Sequence, residues 1–270
     1  MRQFVDLYVY SESTVMLLVL IAAILPAIVL IIHIYNRDKW QKEPPRQLFK
    51  AFVYGVGSAM IVLLLPAFGM VSEVPGTEIS AQIGKAFRTA AIPEEMAKLF
   101  MLWLFLRKCK EFDEHMDAIV YAVCVGMGFA ATENILYLFS NLQSWVATGI
   151  MRALISVPAH FFFAIIMGYY YSLAHFRLGK SRALDAIFTL LLPVIAHGIF
   201  DALLFISAMS QELAGILTLV FIIGFFFLRK FASSRVDKIL ETDRIYITRV
   251  EDYPIHHDYS EDVSSNDETV

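Results

Sequence analysis

The chain has 270 residues, of which 58% are apolar and 18% charged, with a mean hydropathy of +0.61 and a net charge of −4. A soluble domain averages about 45–50% apolar and about 25% charged residues. The excess here is gathered into long blocks, which excludes a soluble enzyme, a disordered chain and a disulfide scaffold. The acidic balance offers nothing to nucleic acid, and Cys109 and Cys124 form neither a redox pair nor a metal motif.

A helix needs roughly 20 mainly apolar residues to cross about 30 Å of hydrocarbon. In chain order the candidate spans are 14–35, 51–72, 85–106, 116–139, 151–176, 184–209 and the short, dense 214–228. The first is too long for a signal-peptide core and lacks a cleavage site, so an uncleaved anchor is expected. The runs are continuous rather than alternating, which excludes a β-barrel. The expected fold is all-α, a polytopic membrane helix bundle of about seven transmembrane helices. Of the 22 Lys and Arg residues, 17 fall in loops 36–50, 107–115 and 177–183 and in the segment after 228. Basic loops stay on the cytoplasmic side, which puts the N-terminus outside and the C-terminus in the cytoplasm of a multi-pass cell-membrane protein. Residues 1–228 then form the bundle. Residues 229–270 form a solvated, partly disordered tail ending in SEDVSSNDETV. No internal repeat is visible.

Five charged residues sit well inside these spans: Glu94, Glu95, Lys98, Glu133 and Asp201. At about 3 kcal/mol each on insertion scales they would cost on the order of 15 kcal/mol if they faced lipid singly, so they must meet one another or water. Spacing shows how. Glu94 and Lys98 are i,i+4 neighbours, as are His197 and Asp201, and such pairs share a helix face. Arg152, Ser156 and His160 form one polar stripe. A stripe of small residues (Ala118, Ala122, Gly126, Ala130) leads to Glu133 and Asn134 and permits close helix approach. Counted at 1.5 Å per residue from the outer boundary, Glu95, Glu133, His160, His197 and Asp201 lie about 9–18 Å deep, in one layer of the outer half of the membrane.

Such a cluster suits hydrolysis. A buried glutamate beside another acid can serve as general base, with His160, His197 and Asn134 donating hydrogen bonds to a developing oxyanion. The same residues also allow a metal site. His160, His197 and Glu95 would make a His₂Glu set like that of catalytic zinc, Glu94 would be the base, and Asp201 would orient an imidazole. No zinc signature such as HExxH is present, so both mechanisms, with Zn²⁺ or with no cofactor, stay open at this level.

The motifs EEMAK (Glu94, Glu95, Lys98), GFAATEN (Gly128 to Asn134), His160 within RALISVPAHFFFAIIMG, and HGIFD (His197, Asp201) lie in order on four successive spans, over about 90–205. In this the chain resembles the PrsW-type intramembrane proteases, within the wider clan of CAAX-processing and bacteriocin-immunity membrane proteins. The resemblance implies hydrolysis of peptide bonds in membrane-anchored substrates, including regulators such as anti-sigma factors, with the EExxK glutamates central. Asp201 stands where much of that clan carries Asn. Two other classes use comparable residues. A transporter or proton pathway predicts ion flux through Glu133 and Asp201, but the chain lacks the repeat and paired broken helices of that class. A silent binding or immunity protein predicts that Glu→Gln changes leave function intact.

Overall fold

The computed structural model describes residues 12–70, 74–76, 78–177, 181–209 and 211–252. The acidic end of the tail lies outside them, as does the N-terminal segment before Glu12. Among the described residues every regular element is helical, and the expected spans appear as seven helical paths. The first two are α1 (Glu12–Arg37) and α2 (Pro45–Leu64). The third is composite, with α3 (Ile79–Lys85), a π-helical stretch over Ala86–Ala91 and α4 (Ile92–Leu106). The fourth is α5 (His115–Ser140). The fifth is again composite, with α6 (Trp145–Met151), a π-helical stretch over Arg152–Ser156 and α7 (Val157–Phe176). The last two are α8 (Ser181–Met209) and α9 (Gln211–Asp252). Six paths are long and apolar enough to cross a membrane by composition. The path over 79–106 is set apart by Lys85, Arg88, Glu94, Glu95 and Lys98.

Helix α5 is apolar all round, the pattern of a helix with no lipid face, and it is the hub. Its residues from Met116 to Ala131 are buried without interruption, with α1, α2 and α7 packed around it. Small residues set these distances. A Cβ on Gly55 of α2 would lie 2.1 Å from the Val125 carbonyl oxygen, and one on Gly128 of α5 would lie 2.1 Å from that of Phe52. The two backbones therefore touch. On the other side of α5 the small-residue stripe meets α7, where a Cβ on Gly126 would come 2.7 Å from that of Ala164.

The segment after residue 228 behaves differently from a solvated tail as far as Asp252. Helix α9 runs on past the apolar block, because Ala232, Val236 and Ile239 form a buried stripe against the core. Its polar residues are also used. Asp237 pairs with Arg37. Asp243 accepts hydrogen bonds from the His115 and Met116 backbone amides, at 3.3 and 3.0 Å, and from His115 Nδ1 at 2.8 Å. A carboxylate there satisfies orphan donors and complements the positive end of the α5 dipole. No apolar count could have shown this, since the contact joins residues 128 positions apart.

Candidate active site

Two prolines prepare the site. Pro93 and Pro158 each remove a backbone donor near the start of a helix, and each is the second residue after a π-helical stretch. Such widened turns occur mostly as local bulges at functional positions. Beyond the first bulge come Glu94, Glu95 and Lys98; beyond the second comes His160. Helix α5 supplies Glu133 and Asn134, and α8 supplies His197 and Asp201.

Four separated stretches of sequence thus converge on one connected network. Lys98 Nζ donates to Glu95 Oε1 at 2.8 Å and to His160 Nδ1 at 3.1 Å, and it lies 3.4 Å from Glu94 Oε2. Its ammonium also sits 3.9 Å from the centre of the Phe129 ring. With Nδ1 accepting, the other His160 nitrogen donates, and Nε2 reaches Glu133 Oε2 at 3.0 Å. His197 Nδ1 donates to Glu95 Oε1 at 2.9 Å, while its Nε2 lies 3.4 Å from Asp201 and 3.9 Å from Glu94. The imidazoles stand perpendicular with their centres 5.3 Å apart, and Phe163 stacks on His197. Every sequence-derived candidate is within this network. Each is buried except Glu133 and Asp201, which are partly open to a cavity.

That cavity has a volume of about 220 Å³. Glu94, Glu133, His160, His197 and Asp201 face it, among Phe163, Phe200, Leu204 and other apolar residues. Glu95, Lys98 and Asn134 stand behind this wall. Glu95 is fully buried; one of its oxygens holds both Lys98 and His197, and Oε2 has no hydrogen-bond partner.

The residue that sequence reasoning left out of the site is Arg152. It had appeared only as the first member of the His160 stripe. Its Nη2 donates to Glu133 at 2.6 Å, and its Nε donates to Asn134 Oδ1 at 2.5 Å. Asn134 Nδ2 in turn donates to the Ala23 carbonyl at 3.0 Å, tying the site to α1. Arg152 also covers the Tyr137 ring at 4.1 Å and lines the cavity. A long side chain at a span boundary ordinarily snorkels to the interface, and the widened turn beside it instead aims it inward.

The donor chemistry fits a divalent cation. Glu94, His160 and His197 each offer a ligand atom, all within 4.8 Å of one another. Donors on a four-coordinate zinc lie roughly 3.3–3.6 Å apart, so the three would draw in by about 1 Å. Charge supports the fit. Among the described residues Glu94, Glu95, Glu133 and Asp201 have Lys98 and Arg152 as their fixed cations, which leaves two carboxylates to be balanced by the histidines or a bound ion. Both His160 nitrogens are engaged, Nδ1 by Lys98 and Nε2 by Glu133, so a bound ion would replace one of these two contacts. The sequence-level set of His160, His197 and Glu95 differs by one residue. Glu94 is the glutamate that shares the cavity with the imidazoles, whereas Glu95 is committed behind His197.

A family model described as PrsW family intramembrane metalloprotease matches residues 43–228. Similar curated proteins carry the name Protease PrsW. One from Clostridioides difficile (strain 630) is 36% identical over 203 residues, covering 74% of this chain and 84% of that protein. One from Geobacillus kaustophilus is 38% identical over 184 residues, covering 68% and 78%. One from Bacillus subtilis (strain 168) is 30% identical over 220 residues, covering 82% and 97%. No solved structure matches the chain at a significant level.

Proposed function

Because the chain belongs to the PrsW family of intramembrane metalloproteases, we propose that the Glu94–His160–His197 group and the cavity beside it carry out peptide-bond hydrolysis. The chain is a multi-pass membrane protease whose substrates are membrane-anchored proteins. The observation that carries the site assignment is the convergence of three ligand-bearing side chains from α4, α7 and α8 within 4.8 Å, inside the membrane-spanning bundle.

Glu94, His160 and His197 are the residues that would hold a divalent cation. Bound there, such an ion supplies Lewis-acid polarisation of the scissile carbonyl and of water. The chain's own groups do the rest. Glu95 accepts the hydrogen bond of His197 Nδ1, fixing ring orientation as partners behind metal-binding imidazoles do, and Nε2, 3.9 Å from Glu94 and 3.4 Å from Asp201, is the nitrogen left for the ion. Glu133 spends Oε2 on Arg152 and His160, which leaves Oε1 for the cavity. There it accepts the proton of the attacking water and returns it to the leaving amine. Arg152, held by Asn134 and Glu133, has guanidinium donors left for the oxygen that becomes negative as the carbonyl is attacked. Phe163, Phe200 and Leu204 limit the water in the cavity. A membrane-anchored regulator such as an anti-sigma factor is the substrate class we favour within this reading.

The test separates holding the cation from moving the proton. Purified protein should contain about one divalent ion per chain by elemental analysis. Glu94→Gln or His197→Ala should lose both ion and cleavage. Glu133→Gln should keep the ion and lose cleavage by roughly 10²–10⁴-fold, the usual weight of a general base. Full cleavage by Glu133→Gln would remove it from the mechanism, and metal-free wild type that still cleaves would remove the cation.

A further inference from the structure

A second cavity lies on the opposite face of α4. It is a cleft of about 590 Å³ between α4, α7 and α8, lined by Met96, Leu99, Phe100, Trp103, Ala186 and Leu190, with His175 and Arg182 at one end. That end is the membrane face that carries most of the basic residues. Met96, Phe100 and Trp103 are large, apolar and exposed, so the cleft opens toward lipid.

The charge at its end is unpaired. Arg177 nearby is matched with Asp185 at 3.1 Å and Arg37 with Asp237. Among the described residues Arg182 has no carboxylate partner. Its Nε donates to the Ala174 carbonyl at 2.7 Å, which anchors the guanidinium and leaves both Nη groups for another ligand. Arg182 also stands in the first turn of α8, where the helix dipole favours an anion. A fixed cation over an apolar slot, at the depth of the headgroups, is complementary to an anionic phospholipid. Apolar side chains of α4 and α8 run along the slot and a single cation stands at its end, the pattern of an acyl chain with its charged headgroup.

We propose that the α4–α8 cleft is a binding site for one anionic phospholipid, its phosphate on Arg182 and an acyl chain along Met96, Leu99 and Phe100. The cleft is lined by both the helix that carries Glu94 and Glu95 and the one that carries His197 and Asp201.

The test is native mass spectrometry of the full chain, delipidated and then supplied with phosphatidylglycerol or phosphatidylcholine. Wild type should retain about one phosphatidylglycerol in preference to phosphatidylcholine. Arg182→Gln should weaken retention about fivefold, the weight of one interfacial cation. Ala186→Phe, which fills the slot and leaves the charge, should weaken it as well, and it carries the test if Arg182→Gln does not fold. Arg177→Gln should retain lipid as wild type does, and excess inorganic phosphate should not displace it. Equal retention by all forms, or equal retention of the two lipids, overturns the proposal. So does loss in Arg182→Gln with none in a folded Ala186→Phe, displacement by phosphate, or displacement by a transmembrane peptide.

Discussion

At the scale of single residues the site is an exercise in balancing charge out of water. Breaking a buried ion pair from one side is costly because the remaining charge has no partner, typically about 3–5 kcal/mol. Arg152→Ala would strand Glu133 and release Asn134, both joined directly to Arg152. We expect a destabilisation of about 3–5 kcal/mol, read as a lowered thermal midpoint in detergent, with Arg152→Lys recovering part of it. An unchanged midpoint for Arg152→Ala would show that Glu133 finds other compensation. The five in-span charges announced themselves in the sequence because nothing apolar explains them. Arg152 did not, since an arginine at a span edge is ordinary there. Only the widened turn over Arg152–Ser156 turns it into the bundle, and a turn of that kind has no simple composition rule. The choice between Glu94 and Glu95 was likewise beyond spacing. Adjacent residues on a helix point about 100° apart, and only the packed neighbours decide which faces the cavity.

At the scale of elements, small residues and caps do the positioning. Because Gly128 meets the Phe52 carbonyl, Gly128→Val would push α2 from α5 and displace Glu133 one turn further along the same helix. We expect lost stability together with lost cleavage, whereas Gly215→Ala, with open space around it, should change neither. The α9 contact at the start of α5 is a second such device. Asp243→Ala removes an acceptor for two backbone amides and should cost about 0.5–2 kcal/mol, the range of a lost helix cap, seen as faster hydrogen exchange at His115 and Met116.

The same junction is rich in acids, and this gives it a pH dependence. Burial pushes the Asp38 carboxyl up to about 6; Asp243 adds to this, and the Trp40 amide and Lys42 oppose it. Burial likewise pushes Glu114 up to about 7, with Asp117, Asp243, Asp38 and Asp113 adding. Glu43, which accepts a hydrogen bond from the Tyr121 hydroxyl, is also raised by burial. A carboxyl whose pKa is higher in the folded chain binds its proton more tightly there. Its contribution is therefore present at low pH and is lost as pH climbs through 6 to 7. The thermal midpoint should rise when pH is lowered from 8 to 6, and Asp38→Asn should flatten that rise. A midpoint that falls over this interval would contradict the sign.

At the scale of the whole molecule, the architecture was legible because a bilayer punishes exceptions. Continuous apolar runs of adequate length can only be helices, and the loops between them followed directly. The count of seven paths was readable, and so was the common layer of polar residues, which the packed bundle joins into one hydrogen-bonded network. What composition could not show was the continuation of α9 to Asp252. Its polar half is held by a sparse stripe of Ala232, Val236 and Ile239 and by contacts far apart in sequence. Such a segment reads as a solvated tail until its partners are placed. One helix thereby runs from beside Phe200 at the cavity wall, through Phe221, to the amides that begin α5, and links the two faces of the membrane protein.

The central claim is that the buried glutamates and histidines cut membrane-anchored proteins. The most direct measurement compares the termini of membrane proteins in cells carrying wild type or Glu94→Gln at matched, folded levels. A new terminus present with wild type and absent with Glu94→Gln is the expected result. An identical set of termini in both would contradict the account.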